Sequence, residues 1–378
     1  MWRKASIMAA SVSLRFQTTF LASLVAAVAF GWTGPAHAAT IDWVTVGDPG
    51  NAADTTGAPN PAGAVADSFQ IMKYEWTNQQ YVDFLNAVDP DGLNPQGIYS
   101  SSMGSNSRGG ISFTSGSAAG GKYAARTDMG DKPVSYVSWW DAARVANWLQ
   151  NGAQNYLTTG TSASAPQNTG AYTLGIATSG TSFTRNSDAQ YFIPTENEWY
   201  KAAYYIGSGT NAGYWDYATQ SDTAPTAVTS GTTGIGSAST GIMGSGTGNF
   251  ANFNSGADWN GRDGNVTTVG TNGGPSAYGA FDMGGNVLEW NETLIGSNRG
   301  LRGGGWSGTA FDLSSSSRGL DVDPSFALNN VGFRLASPVA VPEPSTWVMG
   351  LAGIACAGWG AYRRRKRACR APANVKST

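Results

Sequence analysis

The chain has 378 residues with two cysteines and one histidine, and its formal net charge is −2. Ten of its 23 Lys and Arg residues lie at the two ends, whereas all 25 Asp and Glu residues lie between those basic ends. The region between therefore has 13 basic residues and a net charge of about −12, which disfavours nucleic acid as a partner because phosphate binding needs a basic surface.

The cysteines and the histidine all lie outside residues 39–337, which hold nearly all of the acidic residues. Cys356 is in a C-terminal apolar stretch, Cys369 follows it, and His37 is near the N-terminus. The acidic region therefore cannot form disulfides or use thiolate nucleophiles or Ser-His triads. It also lacks the ligands for zinc, copper or iron sites built on imidazole or thiolate.

Residues 1–38 have the organisation of a secretory signal peptide. Arg3, Lys4 and Arg15 precede an apolar run over 20–30, and small residues lead to Ala38. The run is too short to cross a bilayer comfortably, which disfavours the alternative of a membrane helix. We therefore predict export and cleavage after Ala38.

The first elements of the exported region are a strand and a helix. The stretch from Ser68 to Tyr74 alternates apolar and polar residues, which predicts a strand. Thr77 followed by Gln80 forms a capping-box sequence and predicts a helix start. The apolar face of that helix recurs at helical spacing through Tyr81, Phe84, Leu85 and Val88.

Two further helices are predicted in the same way. Ser138 precedes Asp141 by three residues, and Thr195 precedes Glu198 by three residues. The Gly-, Ser- and Thr-rich stretches 158–187 and 223–248 are predicted to be surface insertions within one domain.

After Phe250 the helical periodicity ends, and Gly, Asn and Asp separate short aromatic segments. Helices followed by loops and short strands predict a single α+β domain over 39–337, irregular and rich in loops.

The remaining residues, 338–378, have three parts. A Pro-Glu-Pro motif at 342–344 precedes an apolar stretch, 346–362, and a basic cluster over 363–367. This order predicts a transmembrane segment with its basic end in the cytoplasm. It resembles the PEP-CTERM sorting signal, which implies recognition by an exosortase and clipping near Pro-Glu-Pro. A plain C-terminal membrane anchor is the alternative.

The blocks of the acidic region resemble the formylglycine-generating enzyme (sulfatase-modifying factor) family. The resemblance extends over nearly the whole domain, in the blocks Tyr74–Tyr81, Pro133–Ala142, Ile193–Trp199, Phe281–Trp290 and Leu301–Trp306, closing with Gly332–Ala336. It implies an irregular α+β fold related to C-type lectins.

The family's enzyme oxidises a cysteine of a sulfatase to formylglycine with a cysteine pair that binds copper. The resemblance places those cysteines within Ser307–Asn330, which here contains no sulfur. A serine hydroxyl has too high a pKa to replace a thiolate and does not bind copper(I). No copper is therefore expected, and the absence of histidine also disfavours the iron chemistry of the family's sulfoxide synthases.

The resemblance also implies two structural calcium sites, and calcium accepts mixed carboxylate and carbonyl ligands. The first set consists of Asp282, the Gly285 and Val287 carbonyls, and Glu289. The alternative is that Asp282 and Glu289 cap turns and meet a guanidinium. The second set of implied ligands is Asn252, the Phe253 carbonyl, Asp263 and the Asn265 carbonyl.

Large aromatic and arginine side chains are predicted to be structural. Arg302 and Arg334 are expected to be buried against Glu or Asp partners. Five tryptophans are expected to pack in the core rather than to line a groove, namely Trp139, Trp140, Trp199, Trp290 and Trp306.

The sequence thus favours an exported protein of the cell envelope or extracellular matrix, transiently or stably anchored at its C-terminus. Its divergent domain would bind a glycan, a peptide or a partner protein without catalysis. The alternative is an oxidase-type enzyme of the same family, acting on a protein or a small molecule, because function lies in sites rather than in folds.

Overall fold

The computed structural model describes residues 41–153, 166–180, 183–229, 237–238, 246–257, 264–319 and 321–339. All of them belong to the second of the chain's two units, His37–Thr378. The signal peptide predicted over 1–38 and the transmembrane segment predicted over 346–362 lie outside these residues. Within the described ranges, no helix is long and apolar enough to cross a membrane.

The described residues form four helices and twelve strands. The helices are α1 (Asn78–Val88), α2 (Ser102–Ser105), α3 (Trp139–Gln150) and α4 (Glu196–Tyr204). The strands are β1 (Trp43–Val46), β2 (Phe69–Met72), β3 (Ile111–Phe113), β4 (Tyr123–Ala125), β5 (Thr226–Thr229), β6 (Ser237–Ala238), β7 (Phe250–Ala251), β8 (Leu288–Ile295), β9 (Asn298–Arg302), β10 (Asp321–Val322), β11 (Val331–Gly332) and β12 (Ala336–Pro338).

The predicted helix starts are confirmed. Thr77 Oγ1 accepts a hydrogen bond from the Gln80 amide at 3.3 Å, and Gln80 Oε1 accepts one from the Thr77 amide at 2.9 Å. The same reciprocal capping box begins α3 at Ser138 and α4 at Thr195. Each box satisfies two amides that the first helical turn leaves without partners, which fixes where each helix starts.

The sheets bring distant segments together. Strand β2 lies between β1 and β12, so the start and the end of the domain share one sheet. The second sheet has the order β10-β9-β8-β11, with β11 parallel to β8. In this sheet Glu289 lies opposite Arg302 on one side and Gly332 on the other.

The core is mainly aromatic, as predicted. Trp139, Trp199 and Trp290 are completely buried, and Trp140 and Trp306 are nearly so. They pack with each other and with neighbouring rings, for example Trp139 against Tyr172 at 5.5 Å between ring centroids. Large buried rings contribute much of a core's stability through apolar burial.

The predictions for the Gly-rich regions were wrong in part. Within 158–187, Asn168 and Tyr172 are completely buried, and the Tyr172 hydroxyl accepts a hydrogen bond from the Ile193 amide at 3.0 Å. Within 223–248, β5 pairs in parallel with β7. The half after Phe250 also contains the longest strand described, β8. Composition alone missed these contacts because the partners lie far away in sequence.

Candidate functional site

A cavity of about 400 Å³ lies where the family's cysteines are expected. We call it the serine cleft and define it by its polar and aromatic lining residues, Ser307, Phe311, Asp312, Ser316, Arg318 and Asn330. All six belong to the segment from Ser307 to Asn330. A cavity therefore lies at this position although the segment contains no sulfur.

A tight turn leads into the serine cleft. Gly304, which lines the cavity, has a φ of +69°, and a Cβ at this position would lie 2.7 Å from Leu313 Cδ1. Only glycine combines this backbone conformation with so close an approach. The Gly-Gly-Gly-Trp sequence is thus explained by the path of the backbone beside the cavity.

One wall of the cleft is a short 3-10 helix, Ala310–Leu313. Asp312 Oδ2 accepts hydrogen bonds from the Thr309 amide at 2.7 Å and from Thr309 Oγ1 at 2.9 Å. These bonds fix the turn and place Phe311 on the cavity surface, where 63% of its area is exposed.

Arg318 brings a positive charge to the lining of the cleft and shares the Glu196 carboxylate with Arg302. Arg318 Nη2 donates to Glu196 Oε2 at 2.9 Å, and Arg302 Nη2 donates to Glu196 Oε1 at 2.7 Å. The Arg302 side chain is completely buried, whereas 38% of the Arg318 side chain is exposed. The pKa of Arg318 is raised, mainly by its hydrogen bond to Glu196 and also by the attraction of that carboxylate. Partial burial acts in the other direction and lowers the pKa.

Hydroxyl and amide groups complete the lining of the cleft. Ser316 and Ser314 have their Oγ atoms 2.9 Å apart, and Asn330 Nδ2 donates to Ser307 Oγ at 3.2 Å. Each of these groups can donate and accept hydrogen bonds. The arrangement presents hydrogen-bond donors and acceptors to the cavity.

A second cluster surrounds the first predicted calcium site. Glu289 accepts hydrogen bonds from Arg334 Nε and Nη2, both at 2.7 Å, and from Trp199 Nε1 at 2.8 Å. Asp282 accepts from the Gly270 amide and from Asn272 Nδ2. Glu289 thus meets a guanidinium and Asp282 caps a turn.

Glu75 adds a third carboxylate to this cluster, completely buried, which the sequence analysis missed. Glu75 accepts hydrogen bonds from Asn286 Nδ2 at 2.8 Å and from the Val287 amide at 3.1 Å. Burial and the nearby charges of Asp282 and Glu289 raise the pKa of Glu75 well above its usual value. A raised pKa favours the neutral acid at Glu75, and both Glu289 oxygens are already bound to Arg334, so this cluster offers little free negative charge to a cation.

The second predicted set of calcium ligands contains a buried amide oxygen without a hydrogen-bond donor among the described residues. Asn252 Nδ2 donates to the Asn265 carbonyl at 2.8 Å and to Asn286 Oδ1 at 3.0 Å. Asn252 Oδ1 is buried and has no hydrogen-bond donor among the described residues. Rotating the amide would place that oxygen against two acceptors, so the oxygen has an unmet need for a donor or a cation.

The other members of that set are only partly described. The Phe253 carbonyl accepts from the Gly256 amide at 3.1 Å, which leaves it a second lone pair. Asp263 lies outside the described residues. In the described part of the chain, no group of three or more Asp, Glu, His or Cys side chains is placed to hold a metal ion.

The predicted arginine roles are confirmed. Arg334 is completely buried against Glu289, and Arg302 is completely buried against Glu196. Glu196, which joins Arg302 to the serine cleft through Arg318, was not anticipated as a site residue. Its signal in the sequence is weak because the first turn of a helix favours glutamate for other reasons.

Comparisons with solved structures give distant likenesses. The solved structure of CarF is 23% identical, with a TM-score of 0.44, and the match covers 79% of this chain and 99% of that one. Variable protein 1 of Treponema denticola is 17% identical, with a TM-score of 0.39 over 79% and 95% of the two chains.

PvdO from Pseudomonas aeruginosa is 18% identical, with a TM-score of 0.37 over 79% and 92% of the two chains. A search of curated proteins gives no match. These likenesses concern the fold and are too distant to indicate a function.

Family models identify both parts of the sequence. The model of the sulfatase-modifying factor enzyme 1-like domain matches residues 38–339, and the model of the PEP-CTERM protein-sorting motif matches residues 340–366. The resemblance seen in the sequence motifs is thereby confirmed, and with it the irregular α+β fold related to C-type lectins. The chain belongs to the sulfatase-modifying factor family, the family of the formylglycine-generating enzyme, and carries a PEP-CTERM sorting motif for export.

Proposed function

We propose that this domain is a binding module of the sulfatase-modifying factor family that does not oxidise cysteine. The observation that carries the proposal is the serine cleft, a cavity of about 400 Å³ at the place of the family's cysteines. Hydroxyl, amide, carboxylate and guanidinium groups line it, all of which bind polar ligands.

The presence of serines instead of cysteines in this segment supports the proposal that the domain does not oxidise cysteine. Copper(I) prefers soft sulfur ligands, and the segment from Ser307 to Asn330 offers Ser314, Ser315, Ser316 and Ser317 instead. A neutral hydroxyl is a poor ligand for copper(I) and is not deprotonated at neutral pH. The alternative function, an oxidase of the same family, would need a metal site built without cysteine or histidine.

The proposal is tested with the mature domain, residues 39–337, incubated with copper, oxygen and a sulfatase-derived cysteine peptide. Aldehyde is detected by hydrazide labelling and mass spectrometry. We expect no aldehyde above the level given by heat-denatured domain. A formylglycine-generating enzyme that has both cysteines serves as positive control, and aldehyde formation by the native domain refutes the proposal.

We further propose that the domain works at the cell envelope or in the extracellular matrix after an exosortase-type enzyme removes the tail. The PEP-CTERM match over 340–366 supports recognition by such sorting machinery. The C-terminal mass of the protein isolated from cells tests the processing. A C-terminus near Pro342 is expected, whereas a C-terminus at Thr378 indicates a permanent membrane anchor.

Calcium is proposed as a structural ion, with the set around Asn252 as the stronger candidate. The buried Asn252 oxygen without a donor supports this choice, because a hard cation is satisfied by amide and carbonyl oxygens. Together with the Phe253 and Asn265 carbonyls and Asp263, it would supply the ligands; the other candidate set is Asp282, Gly285, Val287 and Glu289.

Thermal unfolding with calcium and with excess chelator tests the ion. A bound ion stabilises the folded state by mass action, so the unfolding midpoint is expected to rise with calcium concentration. Asn252→Leu is expected to abolish the response because it removes the amide oxygen. An unchanged midpoint in chelator, with no ion found by elemental analysis, excludes both calcium sites.

A further inference from the structure

We infer that the serine cleft binds a neutral saccharide, with Phe311 as the platform for the sugar ring. This inference rests on the proposed function of the cleft and names its ligand class. Three properties of the cavity lead to it: an exposed aromatic ring, a carboxylate and a guanidinium with atoms left for a ligand, and the absence of a long strand edge.

Phe311 supplies the apolar contact. Its ring lines the cavity and 63% of its area is exposed, although burying an aromatic side chain is favourable. The 3-10 helix fixes its position through the Thr309 and Asp312 capping bonds. A rigid exposed ring beside polar groups matches a pyranose, which has an apolar face of C–H groups and an edge of hydroxyls.

Asp312 and Arg318 supply the polar contacts. Among the described residues, both hydrogen bonds that Asp312 accepts go to Oδ2, so Oδ1 remains for a ligand. Arg318 donates to Glu196 through Nε and Nη2, so among the described residues Nη1 has no acceptor. A carboxylate oxygen that accepts and a guanidinium nitrogen that donates can bind two adjacent hydroxyl groups.

The charge of the lining favours a neutral ligand. The Asp312 carboxylate and the Arg318 guanidinium both line the cavity, so neither sign of charge dominates. An anionic ligand would gain from Arg318 and lose beside Asp312, and a cationic ligand would meet the reverse. Hydroxyl groups use both partners without carrying a charge into the site.

The strand next to the cleft disfavours an extended peptide as the ligand. Peptides add to sheets along free edges, where several main-chain hydrogen bonds form. The two edge strands of this sheet, β10 and β11, have only two residues each. The recognition groups of the cleft are instead side chains around a compact cavity, the usual form of a small-molecule or sugar site.

The test is titration calorimetry of the mature domain with cellotetraose, chitotetraose, mannotetraose and isomaltotetraose. A trigalacturonate and a glycine-serine tetrapeptide serve as charged and peptide probes. We expect at least one neutral oligosaccharide to bind and to bind more tightly than both other probes. Binding of none of the four, or tighter binding of the galacturonate or the peptide, overturns the inference.

Two matched variants locate the binding. Phe311→Ala is expected to weaken saccharide binding about tenfold, the effect of losing one aromatic contact. Ile176→Ala is the control, because Ile176 is also 63% exposed but does not line the cleft. Equal affinity of these two variants places the sugar elsewhere and contradicts the assignment.

Conservative variants at the polar groups complete the test. Asp312→Asn and Arg318→Lys are each expected to reduce affinity while the unfolding midpoint changes little, and unchanged affinity in both contradicts the roles given to them. The aldehyde assay separates the two proposals. Aldehyde formation refutes the non-oxidising function, whereas no aldehyde together with no saccharide binding refutes only the ligand class.

Discussion

Two of the glutamate–arginine clusters among the described residues contain the same kind of ion pair but differ in how far the arginines are exposed. In the closed cluster, the side chains of Glu289 and Arg334 are 1% and 0% exposed, so no solvent or ligand reaches them. In the open cluster, Glu196 also binds a buried arginine, but its second partner Arg318 is 38% exposed on the serine cleft. Burial thus distinguishes a pair that maintains the fold from one that can serve a ligand.

The largest expected effect is in the closed cluster. Arg334→Met leaves the Glu289 carboxylate buried without its guanidinium, beside the raised-pKa carboxyl of Glu75. The free energy of unfolding is expected to fall by about 3–5 kcal/mol, the usual cost of a broken buried ion pair. Urea unfolding followed by tryptophan fluorescence measures it. The double variant with Glu289→Gln is expected to recover part of the loss, and a loss under about 1 kcal/mol contradicts the role of this pair.

Asp141 sharpens the comparison because it is a buried carboxylate that binds Ser138 rather than a guanidinium. Burial raises the pKa of Asp141 to about 6, against the hydrogen bonds from Ser138 and the charge of Arg144. Since the ordinary value is 3.8, the folded state binds more protons than the unfolded state between these values. Protonation of Asp141 therefore increases the free energy of unfolding as the pH falls through about 6.

The measurement compares wild type with Asp141→Asn in chelator at pH 7 and pH 5. Asparagine retains an acceptor for the Ser138 cap but does not titrate. We expect wild type to gain about 1 kcal/mol more than the variant on acidification. Parallel pH profiles for the two proteins show that Asp141 does not titrate in this range.

The smallest expected effect is in the open cluster. Arg318→Met leaves Glu196 paired with Arg302 and removes only a partly exposed guanidinium. The free energy of unfolding is expected to fall by about 0.5 kcal/mol, in the range of solvent-exposed ion pairs. The same urea experiment measures it. If Arg318→Met and Arg334→Met lose equal stability, the distinction between the two clusters is wrong.

Local signals in the sequence predicted the parts of the fold that local contacts decide. The helix starts at Thr77, Ser138 and Thr195 were predictable because each capping box needs only four consecutive residues. The family motifs predicted the overall architecture and the burial of Arg302 and Arg334. They also placed the segment that forms the serine cleft.

Contacts between distant segments were not predictable in this way. Glu75 meets Asn286 from 211 positions away, and Tyr172 is buried although it lies in a stretch rich in Gly, Ser and Thr. Strand β5 pairs with β7 across a Gly- and Ser-rich stretch whose composition indicates a loop. The polar lining of the cleft also depended on the fold, because Glu196 and Arg318 meet only through tertiary packing.

Oxygen uptake by the mature domain tests the central claim most directly, that this cleft binds a ligand without oxidising cysteine. The reaction contains copper, a reductant and the cysteine peptide, and the rate is compared with the same mixture without protein. The account predicts equal rates with and without protein, and no aldehyde on the peptide. Faster uptake that depends on the peptide and yields aldehyde in proportion would contradict it.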